Sequence, residues 1–391
     1  MARTPSRSPA SKGSTAMLGF KIQDTGYMYS RRDVLKTAVA MPAVLAAQSP
    51  NDTIRVAVIG VGNRGSYDLK NVLKVPGVKV VALCDLDPER LAKAAAVVSA
   101  SGDAPATYTD FRKMLDERKD IDATIIATPV DTHKMIAVDA LEVGKHVYCE
   151  KPMATTPADV RVMATAAKNA KGVFQAGFQL RHDPNRRRAM EFVHSGGIGK
   201  VLFLQGYRHT GDLPRDTPWY FDRTRSGDNI VEQACHILDL FVWTMGQHPL
   251  RAYGSGGINL FKDQPPGRTT MDNYALIYEF PDDVRLEFSH IYFDPPSFSG
   301  IKERVYGANG AIDLPTATWI EREKKGEIKL DVPDAGQDST YLSLAAFIDN
   351  ARGRKTPLNN ADSAALSTMV AMLGRKSIYE KRVVQWEEIA G

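Results

Sequence analysis

Cysteine is scarce, with Cys84, Cys149 and Cys235 the only three in 391 residues. That is too few for a disulfide framework, and none stands in a Cys-x-x-Cys spacing. His-Glu-x-x-His is absent as well, so no metal site is expected. Cys84 and Cys149 end apolar runs and read as small buried hydrophobes. No apolar run reaches the roughly 20 residues that cross a bilayer, which predicts no membrane span. A dominant charge sign is missing too. The formal net charge is +4, but residues 1–50 hold seven Lys or Arg against two Asp, and without them 43 basic side chains face 44 acidic ones. A balanced body offers no electrostatic footprint for nucleic acid. Arg186-Arg187-Arg188, the one dense basic run, reads as the solvated face of a helix opening near Pro184.

The leader is the first thing present. Ser30-Arg31-Arg32-Asp33-Val34-Leu35-Lys36 is followed by an apolar stretch from Ala38 to Ala47, interrupted by Pro42, and by Gln48-Ser49-Pro50. These are the parts of a cleavable signal peptide, and the paired arginines resemble the twin-arginine consensus, with Val34 where Phe is commoner. Residues 1–50 are therefore expected to direct export to the periplasm, with Met17 and Met28 as alternative starts.

From Ile54 apolar strands alternate with amphipathic helices, the pattern of β-α-β units. Strands are expected at 54–59, 78–83, near Thr107, at 123–127, 146–149 and 173–177, which predicts an α/β Rossmann-type doubly wound parallel sheet over 51–180. Beyond Gly196-Gly197 come longer alternating strands at 200–207, 274–280 and 284–291, with Pro281-Asp282-Asp283 as a hairpin connection. Residues 181–391 are thus expected to form an α+β domain with a large, mostly antiparallel open sheet. One helix is predicted over 230–245, and C-terminal helices at 342–351 and 362–379 are predicted to pack back on the first domain.

Gly60-Val61-Gly62-Asn63-Arg64-Gly65 follows the first strand and opens a helix, and Asp85 stands 20 residues after Gly65 at the end of the second strand. That context is the dinucleotide fingerprint: glycines let backbone approach a pyrophosphate at a helix N-terminus, and the carboxylate takes the ribose hydroxyls. Asp85 repels a 2′-phosphate and favours NAD, while Arg64 and Arg90 leave NADP possible. Lys151, in Cys149-Glu150-Lys151-Pro152, places an amine where a strand ends, and in such sheets the ligand lies across those ends. Glu232 and His236, four apart on one predicted helix, share a face. Lys151 and His236 then supply what alcohol oxidation needs, a group to take the hydroxyl proton. A lysine near 10.4 is a poor base at neutrality, so burial or neighbouring cations are expected to depress it. Asp239 reads either as a substrate ligand or as a brace for His236. Arg208, His209, Trp219, Tyr220 and Arg223 have the side chains that hold a sugar. His182 and His290 have no partner identifiable from sequence.

Together these motifs resemble the Gfo/Idh/MocA family of sugar and cyclitol dehydrogenases. Besides the fingerprint and Asp85, the matching residues are Ala127-Thr128-Pro129 with His133, Gly144-Lys145-His146-Val147 leading into Glu150-Lys151-Pro152, and Gly197-Ile198-Gly199-Lys200. The resemblance implies that Thr128 and Pro129 line the nicotinamide, that Glu150 contacts its ribose, that Lys151 faces substrate, and that Gln179 and Arg181 lie nearby. It also implies a homo-oligomer built on the open sheet. Family members usually carry aspartate where Glu232 stands, so this chain departs there. The expected activity is hydride transfer between NAD(P) and a secondary hydroxyl of a sugar, glycoside or cyclitol. A redox-neutral NAD-dependent glycoside hydrolase or lyase and a non-catalytic dinucleotide sensor are the alternatives.

Overall fold

Apolar runs bounded by glycine, proline and aspartate set the strands of the first sheet in the computed structural model, which describes residues 53–391. The expected signal peptide lies outside the described residues. In chain order come β1 (Ile54–Ile59), α1 (Asn63–Val72), β2 (Val78–Cys84), α2 (Pro88–Ala100), β3 (Ala106–Tyr108) and α3 (Phe111–Glu117). They are followed by β4 (Ala123–Ile126), α4 (Val130–Glu142), β5 (His146–Glu150), α5 (Pro157–Asn169) and β6 (Phe174–Gly177). The strands lie in the order β3-β2-β1-β4-β5-β6, every neighbouring pair parallel. Helices cover both faces, so Val56, Ala57, Val58 and Ile59 are all buried. Several helices start on side-chain caps: Asp87 accepts from the N–H groups of Glu89 and Arg90 with Pro88 in the first turn, and Thr156 accepts from Asp159. Strand order reverses between β1 and β4, which opens a crevice at the carboxyl ends of these strands.

The second half comprises α6 (Pro184–His194), β7 (Val201–His209), α7 (Arg223–Ser226), α8 (Asn229–Glu232) and α9 (Cys235–Met245). Then follow β8 (Arg251–Gly257), β9 (Asn273–Glu279), β10 (Arg285–Ile291), β11 (Gly300–Gly307), β12 (Gly310–Asp313), β13 (Thr318–Glu321) and β14 (Ile328–Lys329). The chain ends with α10 (Ser339–Gly353), α11 (Ala361–Glu380) and β15 (Val384–Gln385) before a last short turn of helix. The nine strands run β14-β13-β12-β11-β7-β10-β9-β8-β15, and of these pairs β10 with β7 is parallel. Side chains alternate across the sheet: Tyr274, Leu276, Tyr278, Leu286 and Phe288 are buried, while Ala275, Ile277, Arg285 and Glu287 face out. A helix-covered inner face and an open outer face explain that pattern.

The helix expected over 230–245 is in fact two, because Gln233 and Ala234 interrupt it. Helix α10 returns to the first sheet, where Leu344, Phe347 and Ile348 share a core with Val56, Val58 and Val80. Helix α11 lies on the second sheet and approaches closely at Gly374, where an added Cβ would stand 2.0 Å from the Tyr278 hydroxyl. Among the described residues no helix is long and apolar enough to cross a membrane.

The approach at Gly374 makes a prediction. Gly374→Ala forces α11 off the sheet and costs about 1–3 kcal/mol of stability. Urea unfolding reads this as a lower midpoint at unchanged slope. A midpoint equal to wild type would mean that the helix is seated with slack.

Candidate active site

Three loops at the carboxyl ends of β1, β4 and β5 build the site. The loop after β1 turns at Gly60, whose φ is +84°, and an added Cβ there would lie 2.7 Å from the Ala127 carbonyl carbon. Gly62 precedes α1 as its N-cap without any side-chain capping bond, and the first turn of α1 holds no acid. Its N–H groups are therefore left for an external anion. A Cβ on Gly62 would fill the cradle over them and meet the Arg90 guanidinium at 3.0 Å. Asp85 braces this turn, accepting from Val61 N at 2.8 Å and from Asp87 N at 3.0 Å. One backbone donor on each carboxylate oxygen leaves lone pairs for ribose hydroxyls. These residues fit a dinucleotide: Gly60, Gly62 and Gly65 give the turn, the N-terminus of α1 would take the pyrophosphate and Asp85 would face the ribose. Asn63 donates to Asp216 at 2.8 Å and ties the turn to the loop after β7.

Arg64 does not point to a phosphate. Its Nε donates to Glu150 Oε1 at 2.9 Å, and its Nη2 reaches both Asp68 at 2.8 Å and Thr340 Oγ1 at 3.2 Å. Burial opposes its charge, but Glu150 and Asp68 outweigh burial and raise its proton affinity. Gln179 donates to Glu150 Oε1 at 2.5 Å and to the Tyr148 hydroxyl at 2.9 Å. Arg64 and Gln179 thus hold Glu150 rather than a ligand. Asp68 was not anticipated. It is fully buried, and burial together with the Glu150 carboxylate pushes its carboxyl well above the usual range, against the pull of Arg64. A polar residue on the buried face of α1 is the signal that betrays it. His133, also buried, faces the carbonyl oxygens of Thr128 at 2.8 Å and Pro152 at 2.9 Å and joins the loops after β4 and β5. It is a brace, while Thr128 and Pro129 are partly exposed at the crevice.

Lys151 extends from the end of β5 to a single residue. Its Nζ donates to Glu232 Oε1 at 2.8 Å and to the Glu232 carbonyl at 2.6 Å. That carbonyl is free because the helix breaks: His236 N turns to Gln233 O instead. The break changes the sequence expectation twice. Glu232 ends α8 and His236 lies in the first turn of α9, so they do not share one continuous helix face. Nor is the lysine depressed. Burial is the largest single influence and disfavours its charge, but Glu232 together with Cys235 and Glu150 outweighs it and raises the lysine, so Lys151 is an ammonium. His236 behaves oppositely: burial, then the Lys151 and Arg64 cations, push it well below 6.5. Its Nδ1 is buried without a hydrogen-bond partner, and its ring meets Phe178 edge-on at 6.1 Å. A neutral imidazole beside an ammonium is a proton acceptor next to an oxygen-orienting cation.

The expected substrate ligands are largely spent elsewhere. Arg181 and Asp239 form a buried bidentate pair at 2.8 and 2.7 Å, and Ser367 donates to Asp239 at 2.6 Å. That pair fixes α9 against the segment after β6, and Asp239 touches neither His236 nor the crevice. Tyr220 is buried and its hydroxyl meets that of Tyr292 at 2.5 Å, whereas Trp219 is partly exposed. Tyr292 donates on to Gln233 Oε1 at 2.8 Å, which also takes Arg208 Nε at 3.0 Å. Sequence reading passed over Gln233; the chain of bonds through it holds the helix break in place. His290 finds the Tyr274 hydroxyl at 2.9 Å.

Comparison with known proteins adds an independent line. Residues 54–178 match the GFO/IDH/MocA oxidoreductase family with its NAD-binding Rossmann fold, and residues 186–313 match the GFO/IDH/MocA C-terminal domain. The chain is similar to inositol 2-dehydrogenase of Salmonella typhimurium, 31% identical over 72% of this chain and 79% of that protein. It is also similar to a glycosyl hydrolase family 109 protein of Saccharopolyspora erythraea, 35% identical over 53% of this chain and 45% of that protein. The crystal structure of myo-inositol 2-dehydrogenase from Lactobacillus plantarum superposes with a TM-score of 0.72, at 25% identity over 85% of this chain and 99% of that one.

The buried imidazoles predict an acid limb of stability. Burial lowers His133, His236 and His290 below their ordinary 6.5, so below that pH the unfolded chain takes protons that the folded chain refuses. Stability is therefore full above about 6.5 and falls with pH, by about 1.4 kcal/mol per unit for each such group until its folded value is reached. Melting temperature is expected to drop between about pH 7 and 5, and His236→Gln is expected to make the drop shallower. Equal slopes in the two proteins would remove His236 from the account.

Proposed function

The chain belongs to the GFO/IDH/MocA family of NAD-binding oxidoreductases, and on that premise we propose that it transfers hydride between NAD and a secondary hydroxyl of a cyclitol or sugar. The observation that carries this reading is the ammonium of Lys151, held by Glu232 beside the neutral ring of His236, at the strand ends that flank the glycine turn. The glycine turn, the N-terminus of α1 and Asp85 would hold the dinucleotide, with Thr128 and Pro129 toward its nicotinamide. Bound NAD supplies the hydride acceptor. Lys151 donates a hydrogen bond to the substrate oxygen and stabilises the alkoxide that forms as its proton leaves. His236 accepts that proton on its imidazole ring, which starts neutral. Glu232 keeps Lys151 charged and offers its second carboxylate oxygen to a neighbouring hydroxyl. In the reducing direction the same groups run in reverse.

Cyclitols are favoured because the inositol dehydrogenase match extends over most of both chains. The family 109 match spans less than half of that hydrolase and supports the redox-neutral reading less. We also propose export by the twin-arginine route, on the strength of Arg31-Arg32 and the apolar stretch behind them, and a homo-oligomer formed through the open face of the nine-stranded sheet.

Absorbance of NADH, followed while inositols, sugars and aryl glycosides are offered, tests the reading. Lasting reduction of NAD by a polyol is expected; glycoside cleavage with no net reduction would replace it with the redox-neutral one. Lys151→Ala is expected to lower kcat by about 10²–10⁴ while NAD affinity stays within a few-fold. Retained turnover would sink the assignment. The proton-acceptor role of His236 predicts that oxidation holds its rate down to about pH 6.5, because the ring stays neutral there. A rate that climbs steadily to about pH 10 would return the role of base to Lys151.

A further inference from the structure

Behind the loop that carries Lys151 lies a second cavity, of about 530 Å³. Its walls come from the turn between β5 and α5, from α7, from α11 and from the C-terminal turn, with Thr155, Arg223, Arg375 and Tyr379 facing it. The charges around it are unequal in one respect. Lys376 and Glu388 line it too, but each is neutralised, by Glu380 at 2.5 Å and by Arg382 at 2.6 Å. Arg223 and Arg375 are not. Among the described residues neither forms an ion pair: Arg223 stacks over the Tyr379 ring at 4.1 Å, and Arg375 donates only to carbonyl oxygens. Asp228, the nearest acid to Arg375, is committed to the N–H groups of Asn229 and Met271 and to the Tyr379 hydroxyl. Burial works most strongly against the proton of Arg375, Asp228 and then Tyr379 oppose it, and the charge of Arg223 adds a smaller push in the same direction as burial. Two guanidiniums that repel each other across one cavity are stabilised by an anion placed between them, and the guanidinium fork suits phosphate and carboxylate. Met372 and Ile389 add an apolar wall that fits a carbon skeleton.

The carbonyls that Arg375 holds are those of Thr155, at 2.9 Å, and Gly227, at 3.2 Å. Thr155 lies four residues after Lys151 and Gly227 five before Glu232. One guanidinium therefore ties the two segments that bring Lys151 and Glu232 together. We propose that this cavity binds a small molecule bearing a phosphate or carboxylate group between Arg223 and Arg375, and that Arg375 transmits its occupancy to the Lys151–Glu232 contact. The binding site stands independently of the dehydrogenase reading; only the meaning of the coupling rests on it.

The test uses the full-length protein saturated with NAD, so that the anion site at α1 is filled. Inorganic phosphate and citrate are titrated calorimetrically at constant ionic strength, with chloride as control, and the two anions distinguish a phosphate from a carboxylate preference. Saturable binding of at least one is expected. Arg223→Gln, on the surface, is expected to weaken it roughly tenfold or more while melting temperature and NAD affinity stay at wild-type values. Saturation is also expected to slow amide hydrogen exchange at 152–156 and 227–232, and Arg375→Lys to lose that protection. No saturable heat from either anion, or binding that ignores Arg223→Gln, would overturn the site. Binding without altered exchange in those segments would overturn the coupling. Neither readout depends on turnover, so an inactive protein leaves both outcomes meaningful.

Discussion

A lysine ammonium cannot be left in a crevice without an acceptor, and the answer this chain gives to Lys151 organises the rest of the site. With about 11% of its side chain exposed, the ammonium would lose most of its hydration with no return unless it met a charge and further hydrogen bonds. Glu232 supplies both a carboxylate and a carbonyl. A carbonyl inside a continuous helix is already committed four residues on. The chain therefore has to break its helix at Gln233–Ala234, and the Tyr220–Tyr292–Gln233–Arg208 chain of hydrogen bonds holds that break. Two sheets that meet through a continuous core are joined at this point by one ion pair.

The first half of the fold was legible because its physics is one-dimensional. Parallel strands buried on both faces read as apolar runs, and helix entries read as Asp87-Pro88 or Thr156-Pro157. The glycine turn and Asp85 carried their meaning in spacing. The second half was less so: β8 contains three glycines in seven residues, and β14 has two residues, so neither announces a strand. The helix break was invisible, since neither glutamine nor alanine opposes a helix. Pairing was invisible as well. Arg181 and Asp239 have side chains suited to a polyol, but they satisfy one another 58 residues apart. Only three dimensions show which polar groups are already taken.

The same accounting explains why Glu150 sits where it does. Its carboxylate collects Arg64, Gln179 and the backbone of Lys151, with Asp68 sharing Arg64. A buried carboxylate held by that many donors is fixed in orientation. It also adds to the favourable field on Lys151, after Glu232 and Cys235. Asp68 holds its proton more tightly than a free carboxyl because it is buried and shares Arg64 with a second carboxylate. The region thus sets Arg64 against Glu150 and Lys151 against Glu232, with His236 neutral.

That balance bears on the proposed reaction. Alcohol oxidation removes a hydride and a proton from the substrate, and in a poorly hydrated crevice each displaced charge is costly unless another replaces it. A bound oxidised nicotinamide would supply the hydride acceptor and would lose its positive charge on accepting hydride. Arrival of the hydroxyl proton gives His236 a positive charge in the same crevice. The total is unchanged from one side of the step to the other, so the surrounding dipoles need not reorganise. A lysine that began neutral would serve this balance equally well as proton acceptor, but Glu232 prevents that start. Glu232 is the arm that holds the ammonium. In the proposed reaction the labour would be divided: Lys151 would orient and stabilise the oxygen, and the histidine, kept neutral partly by that very ammonium, would take the proton.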